Sequence, residues 1–277
     1  SAPAAAQPSA EDGMVQAMPV PEGGARVLAA SPAGDRLVAS AAGTRLACWT
    51  LVEGRTADRP PVTVAVGPAP VADLAFSADG DRLAAACADG RIAVWDSAAL
   101  DAPDVRPQAT LAHGGGVQGV AFSASGERLV VAAADGLVTY DLATQKQAER
   151  LVLPGPQTAV AAVEGEFLAG GQDGTGRLWK PALERVIPLG DAAVGAAVVT
   201  LAADRGVAVL TEGRPGLGRW QDDGTPVPPL MEDLTPTRLA VSPDGRTIAA
   251  VDAAGTLGVV QDEQAVAPRR FPLGAAA

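Results

Sequence analysis

Short apolar runs alternate with glycine-containing turns along most of this chain. The segment FSADGDRLAAACADGRIAVWD, Phe76 to Asp96, holds two apolar runs, two turns and a closing Trp–Asp pair. Apolar runs of about four to eight residues between such turns are typical of β-strands, whereas helices need longer runs with a different period. This unit therefore predicts strands over Val71–Phe76, Leu83–Cys87, Arg91–Trp95 and within Gln108–Ala112.

The same order of turn, apolar run, glycine turn, apolar run and aromatic residue recurs six times. The first-turn glycines, about 39 to 46 residues apart, are Gly34, Gly80, Gly126, Gly165, Gly206 and Gly245. Every tryptophan occupies the aromatic position of a copy: Trp49, Trp95, Trp179 and Trp220, with Tyr140 in the third copy and Val260 in the sixth. A repeat of about 40 residues with several short strands predicts one four-stranded propeller blade. The repeat position also predicts that each tryptophan is a core residue.

The copies resemble WD repeats, from about Gly24 to Leu273. The segment LAHGGGVQGVAFSASGERL, starting at Leu111, has the family's His, spacing and first turn, and Trp95–Asp96 is the one literal Trp–Asp dipeptide. The resemblance implies a structural network in each blade, made of that His, a turn Asp, a strand hydroxyl and the Trp. Because His113 is the single histidine, the network is incomplete. We therefore expect apolar packing between sheets to hold the blades together.

The predicted fold class is all-β: a β-propeller of six four-stranded antiparallel blades, with a seventh, partly formed blade as the alternative. Residues 1–20 are predicted to be an Ala/Pro-rich tether, and residues 21–277 a single propeller domain. Two segments are candidates for the outer strand that closes the ring, Met14–Pro19 and Arg269–Leu273.

Composition narrows the range of partners. The net charge of −11 argues against nucleic acid or anionic membrane as the main partner, since both require a basic surface. No apolar run approaches the roughly 18 residues that span a bilayer. Cys48 and Cys87 fit no metal-ligand spacing and lie in apolar runs, so we expect buried thiols that act as small hydrophobic residues. A disulfide between them stays open.

The sequence carries no motif of a known catalytic or metal site. No G-x-S-x-G, HExxH, Cys/His cluster or Walker loop occurs, and His113 already has a structural place. The glycines at 114–116 precede a strand rather than a helix, which disfavours a phosphate site. Adjacent acids without calcium-loop spacing are interpreted as a solvated rim: Asp222/Asp223, Glu232/Asp233 and Asp262/Glu263. No catalytic, cofactor-binding or metal-binding residue is predicted.

Loops on a rigid scaffold are then the expected binding surface. In WD repeats the partner-binding face is built near the starts of the inner strands and at the turn that holds Asp. The matching positions here, together with an apolar pair in the Pro-rich loop Thr225–Pro236, give the predicted partner-binding residues Arg26, Asp73, Gln118, Gln172, Arg238, Leu230 and Met231. The long inserts Val52–Pro61 and Ser97–Pro107 are a second candidate docking feature.

The leading functional hypothesis is a non-catalytic protein–protein interaction scaffold, or an accessory subunit of a larger assembly. The alternative is a small-ligand- or metal-binding propeller, with or without enzymatic activity, that uses its central channel. The expected partners are proteins, with no nucleic acid and no direct membrane insertion. High Ala, Gly and Arg-over-Lys usage suggests a bacterial source, and a start at Ser1 without Met slightly favours an exported or periplasmic location over a cytoplasmic one.

Overall fold

A computed structural model describes the chain from residue 25 to residue 270 with gaps. The described residues are 25–41, 43–52, 55–56, 60–102, 104–163, 166–173, 175–180, 185–189, 197–201, 207–211, 216–221, 223, 225–241, 247–252, 256–261 and 264–270. They form antiparallel sheets throughout, with one turn of 3-10 helix at Ala98–Asp101. No helix in this part of the chain is long and apolar enough to cross a membrane.

The described strands form six sheets, each built from strands that are consecutive in the chain. Sheet 1 contains β1 Leu28–Ala30, β2 Arg36–Ala41, β3 Arg45–Val52, the short β4 Arg55–Thr56 and β5 Val62–Ala65. Sheet 2 contains β6 Val71–Phe76, β7 Arg82–Cys87, β8 Arg91–Asp96 and β9 Ala109–Ala112, and sheet 3 contains β10 Val117–Phe122, β11 Arg128–Ala133, β12 Gly136–Asp141 and β13 Lys146–Leu151. Sheet 4 contains β14 Gln157–Val163, β15 Glu166–Gly171, β16 Gly176–Lys180 and β17 Arg185–Leu189. Sheet 5 contains β18 Ala197–Leu201, β19 Val207–Thr211, β20 Leu217–Trp220 and β21 Pro226–Leu230, and sheet 6 contains β22 Pro236–Val241, β23 Thr247–Asp252, β24 Thr256–Gln261 and β25 Gln264–Arg270.

Neighbouring sheets meet through their first strands. Strand β1 contacts β6, β6 contacts β10, β10 contacts β14, β14 contacts β18, and β18 contacts β22. The first strand of each sheet is therefore the innermost one, as expected for β6. The predicted strands of the second repeat are confirmed to within one residue at each end.

The first turn of the repeat is a closed hydrogen-bonded loop that recurs in sheets 1 to 3. In sheet 2 the Ser77 hydroxyl accepts the Arg82 N–H at 3.0 Å, and the Ser77 carbonyl accepts the Gly80 N–H at 2.9 Å. Gly80 has a φ of +79°, a backbone region that glycine occupies without steric cost. The Ser-x-x-Gly order in the sequence thus fixes the connection between the first and second strands.

The aromatic positions of sheets 2, 3 and 4 pack their side chains against the preceding sheet. Trp95 of sheet 2 is fully buried in a cluster with Val38 and Leu46 of sheet 1. Tyr140 of sheet 3 packs with Ile92 of sheet 2 in the same way. Trp179 of sheet 4 joins a cluster with residues of sheet 3. These three aromatic residues are core residues, as predicted.

Trp220 of sheet 5 departs from this rule, since it is only partly buried. Its predicted core position is therefore met only in part. The edge of its ring covers Gly218, where a Cβ would overlap the indole. The indole ring of Trp220 thus covers part of its own strand, β20.

The insert Ser97–Pro107 is folded onto sheet 1, contrary to the expectation of a docking loop. Leu100 of the 3-10 turn is fully buried in the core cluster between sheets 1 and 2. The Asp101 carboxylate accepts two hydrogen bonds from the Arg36 guanidinium, at 3.1 and 3.2 Å, and one from the Thr50 hydroxyl at 3.1 Å. The extra length of this repeat therefore ties two sheets together.

The remaining sequence predictions have separate outcomes. Cys48 and Cys87 are buried free thiols, so the disulfide alternative is wrong and the small-hydrophobe interpretation is confirmed. Burial raises the pKa of the Cys48 thiol to about 12. The outer strand of sheet 6 is β25, Gln264–Arg270, which overlaps the candidate closing segment Arg269–Leu273. The other candidate, Met14–Pro19, lies outside the described residues, and the closed six-bladed ring stays a prediction.

The packing of the insert predicts that Leu100→Ala destabilises the whole domain. Removing a fully buried leucine leaves a cavity, so the free energy of unfolding should fall by about 2 to 4 kcal/mol. Urea unfolding followed by tryptophan fluorescence measures the change. The matched control is Asp104→Ala in the same insert, at an exposed position, which should change stability by less than about 0.5 kcal/mol. Equal effects of the two variants would show that the insert is not part of the core.

Candidate functional site

One end of the sheets gathers most of the sequence-predicted binding residues. Antiparallel strands alternate in direction, so the start of every first strand lies at the same end as the turn between the second and third strands. We call this end the upper face, defined by the starts of β1, β6, β10, β14 and β22 and by the turns at 88–90, 134–135 and 172–175. The opposite end, with the Ser-x-x-Gly turns, is the lower face.

Three predicted residues are exposed on the upper face. Arg26 precedes β1, Gln118 is the second residue of β10, and Gln172 follows β15. The backbone beneath them is fixed, since the Arg26 N–H donates to the Ser40 hydroxyl and the Gln172 N–H donates to the Pro156 carbonyl. The structure thus brings Arg26, Gln118 and Gln172 to one end with side chains turned to solvent.

Asp73 has a different environment. Its carboxylate accepts the N–H of Leu74 in its own strand and the N–H of Val120 in the inner strand of sheet 3, both at 2.9 Å. The strand carries a β-bulge between Val71 and Asp73, a feature that re-aims a side chain. Asp73 therefore links two sheets through backbone amides, and we assign it to the framework of the site rather than to contact with a partner.

The equivalent residue in sheet 3 shows why such a link occurs between sheets 2 and 3. Gly119 follows the same bulge in β10. A Cβ on Gly119 would lie 3.2 Å from the backbone nitrogen of Val160 in sheet 4. Sheets 3 and 4 are thus too close for a carboxylate at this point, whereas sheets 2 and 3 leave room for Asp73.

Burial raises the pKa of Asp73 from its usual 3.8 to about 6, although the Val120 and Leu74 N–H groups act in the opposite direction. Ionisation inside the framework therefore costs free energy. Near neutral pH the carboxylate is charged and holds both amides, and it takes up a proton when the pH falls through about 6.

The predicted apolar pair is not exposed in the same way. Leu230 and Met231 are partly buried and pack against the cluster of Leu217, Leu234 and Ile248 between sheets 5 and 6. Met231 also has a φ of +54°, so its backbone is held in a tight turn. Arg238 follows the bulge at the start of β22, and its side chain lies outside the described residues.

The lone histidine is part of a polar chain on sheet 3. His113 Nδ1 lies 3.1 Å from the Tyr140 hydroxyl, and Nε2 lies 3.2 Å from Asp135 Oδ1. The Arg150 guanidinium donates to the other Asp135 oxygen at 2.5 Å. The His113 side chain is only 6% exposed. These contacts give the histidine the structural place that the repeat predicted.

In the neighbouring repeats an arginine compensates for the absent histidine. In sheet 2, Gly67 occupies the position before β6 that corresponds to His113 before β10. The Arg91 guanidinium lies where a Cβ on Gly67 would be. This guanidinium pairs with the turn residue Asp89 at 3.2 Å. In sheet 4 the turn Asp173 pairs with Arg177 at 2.6 Å. That guanidinium lowers the pKa of Asp173 to about 2. Each turn aspartate thus keeps a cationic partner, drawn from a different position.

The network is incomplete at Trp95. Its Nε1 is buried without a hydrogen-bond partner, because the facing stretch of β7, Ala84 to Cys87, offers no hydroxyl. A buried N–H without a partner costs about 1 to 3 kcal/mol. Apolar contacts to sheet 1 must outweigh this cost, in agreement with blades held by packing rather than by the polar network.

Comparison with known families identifies the repeat. Within the described residues no group of three or more His, Cys, Asp or Glu side chains is placed to hold a metal ion. The fold is that of a β-propeller, with antiparallel sheets joined through their inner strands. Residues 60–96 and 105–139 match the family model "WD domain, G-beta repeat". The two matched stretches are WD repeats, and together with the repeated four-stranded sheets they support a WD-repeat β-propeller.

The family points to a class of function without giving a partner. WD40 repeats generally mediate protein–protein interactions, and WD40 propellers are typically non-enzymatic. No curated protein matches the chain.

The environment of Asp73 predicts an unusual pH dependence of stability. Because the folded-state pKa is raised, the folded protein binds this proton more tightly than the unfolded chain, so the contribution of Asp73 favours folding below about pH 4 and is lost as the pH rises through about 6. Raising the pKa from 3.8 to about 6 corresponds to at most about 3 kcal/mol of stability. Urea unfolding at pH 4.5 and 7.5, values that bracket about pH 6, should show wild type gaining stability relative to Asp73→Asn at the lower pH.

The control for this measurement is Asp79→Asn. Hydrogen bonds from Ser77 and Asp81 lower the pKa of Asp79, so this carboxyl stays ionised over the range measured and the variant should show little pH dependence relative to wild type. A gain of wild-type stability at the lower pH that is equal for both variants would contradict the assignment of Asp73.

Proposed function

We propose that this propeller is a non-catalytic scaffold or accessory subunit that binds a protein partner through its upper face. The observation that carries the proposal is the common exposure of Arg26, Gln118 and Gln172 at one end of the sheets. Their backbones are pinned by hydrogen bonds to Ser40 and Pro156 and by the Asp73 link between sheets. A rigid platform loses little entropy on binding, which favours affinity.

The electrostatics of this face supports a polar, specific interface. The turn carboxylates Asp89, Asp135 and Asp173 are each paired with an arginine yet remain between 37% and 42% exposed. Charged groups at the rim of an interface contribute more to orientation and association rate than to affinity. We infer that these paired charges set the register of a partner, and that Gln118 and Gln172 donate and accept hydrogen bonds to it.

A channel-based activity has less support. Among the described side chains of sheets 1 to 3, Asp73 is the one titratable group on an inner strand. Both of its carboxylate oxygens already accept backbone N–H groups. His113 is likewise engaged by Tyr140 and Asp135. These groups act as structural elements, so the scaffold assignment is the one we adopt.

Site-specific photo-crosslinking in the source cells tests the proposal. A photoreactive amino acid at Gln118 or Gln172 should crosslink the same partner protein, because both side chains project from one face. The matched control is Gln147, an exposed glutamine on the outer strand β13, which should give no such product. A thermal-shift measurement with metal ions and metabolites tests the alternative class of function.

Two outcomes would contradict the proposal. One is the same crosslinked product at Gln147 as at Gln118, which would show that the upper face is not selective. The other is a large thermal shift with a small molecule together with no crosslinked protein, which would favour a ligand-binding propeller.

A further inference from the structure

The outer strands of the sheets differ in how their open edges are protected. An outer strand presents unpaired backbone N–H and C=O groups, and proteins usually shield such edges with charges, prolines or a covering loop. Strand β13 carries Lys146, Glu149 and Arg150, and prolines interrupt β17, β21 and β25. Strand β5 has no charged residue and no proline, but the 3-10 turn of the insert packs beside it.

Strand β9, ATLA at Ala109–Ala112, carries no charge and no proline, and the Tyr140 hydroxyl of sheet 3 lies 3.5 Å from its Ala112 carbonyl. Ala109 and Leu111 are buried, while Thr110 and Ala112 are exposed. The His113 N–H donates to the Gly90 carbonyl, and Leu111 pairs with Ile92. By the alternation of an antiparallel ladder, the N–H groups of Thr110 and Ala112 point away from β8 and are available to another strand.

A cleft of about 380 Å³ opens at the start of this strand, between sheets 2 and 3 on the lower face. Its apolar lining includes Val94, Ala109 and Leu142, and its polar lining includes Arg82, Glu127 and Asp141. The cleft is thus continuous with the unprotected edge, because Ala109 belongs to both.

The charges of the cleft favour a cationic side chain. The Arg82 guanidinium donates to the Gly126 carbonyl at 2.7 Å, so it is engaged by the protein. Thr144 donates its N–H and its hydroxyl to Asp141, and these bonds lower the pKa of that carboxyl. The lining holds two carboxylates and one guanidinium, and the nearby Arg128, which also acts on Asp141, is paired with Glu149. The cleft thus has a negative excess beside an apolar surface. A lysine or arginine, with an apolar stem and a charged head, fits such a site.

We propose that the β9 edge and this cleft bind an extended segment of a partner protein, which adds a strand to sheet 2 and places a lysine or arginine beside Glu127 and Asp141. Strand addition supplies affinity through main-chain hydrogen bonds, and the pocket supplies specificity. An added antiparallel strand would run toward the cleft, so the basic residue lies at its C-terminal end. This surface is separate from the upper face and does not depend on the function proposed for it.

Charge separates this partner from a second copy of the chain. In an antiparallel pair of two β9 edges, the cleft of each copy would face the residues that end β9 and follow it in the other copy, Ala112 to Gly116, which include no lysine or arginine. A segment with a basic residue is complementary to the same surface.

To test the proposal, a display library of short random peptides is selected for binding to the full chain. The proposal predicts enrichment of peptides in which alternating apolar residues precede a lysine or arginine. For a selected peptide, Thr110→Pro should weaken binding about tenfold, because it removes an outward N–H. The matched control Thr110→Ala keeps that N–H and should bind within about twofold of wild type. The double variant E127Q/D141N should weaken binding and reduce its dependence on salt.

A measurement on the wild-type chain guards against a folding defect in Thr110→Pro. Hydrogen exchange at the Thr110 and Ala112 amides should slow when the selected peptide is bound, since both would then donate hydrogen bonds. Failure to enrich any peptide, unchanged binding to Thr110→Pro, or unchanged exchange at both amides would overturn the proposal. A wild-type dimer that Thr110→Pro dissociates would also overturn it, by showing that the occupant is a second copy.

Discussion

The packing of one sheet on the next is the interaction on which this structure depends. A four-stranded sheet of short strands buries too little apolar surface to be stable alone. In sheets 2, 3 and 4 the repeat places an aromatic side chain on the face of the sheet before it. Trp95 is fully buried in this way even though its Nε1 has no hydrogen-bond partner. Small residues such as Ala84 and Ala86 of β7 let the sheets approach closely enough for these contacts.

Polar interactions are arranged around this packing and vary from sheet to sheet. The turn aspartate of sheet 2 is paired with Arg91, that of sheet 3 with His113 and Arg150, and that of sheet 4 with Arg177. A fixed network would not tolerate such exchange, whereas a charge pair at a partly exposed turn contributes little and can be rebuilt from another position. The polar groups thus set local geometry, and the apolar interfaces set stability.

Much of the fold follows from the sequence because its signals are local and repeated. The Ser-x-x-Gly turn and the period-2 runs are complete within about 20 residues, so strand bounds such as Val71–Phe76 could be predicted directly. The fate of the insert at Ser97–Pro107 could not, because its composition resembles that of a free loop. Only the distant partners of Leu100 and Asp101, in sheet 1, show that it is structural.

In the candidate site, too, the features that follow from the repeat could be predicted, whereas those that depend on distant contacts could not. The repeat places Gln118 near the start of an inner strand and Gln172 just before a turn, and residues at both kinds of position are expected to face solvent. The framework role of Asp73 required knowledge of a bulge and of an amide in the neighbouring sheet, Val120, and a single repeat cannot reveal either. The sequence of β9 shows that this strand has no charged residue and no proline. That this is unusual becomes clear only when β9 is compared with the outer strands of the other sheets.

The claim that inter-sheet aromatic packing sets stability is tested most directly by replacing two tryptophans in turn. Trp95→Ala removes a fully buried ring at the interface of sheets 1 and 2, and Trp220→Ala removes a partly buried ring of sheet 5. Urea unfolding should show a loss of about 3 to 5 kcal/mol for Trp95→Ala and a clearly smaller loss for Trp220→Ala. Equal losses, or a loss below about 1 kcal/mol for Trp95→Ala, would contradict this account.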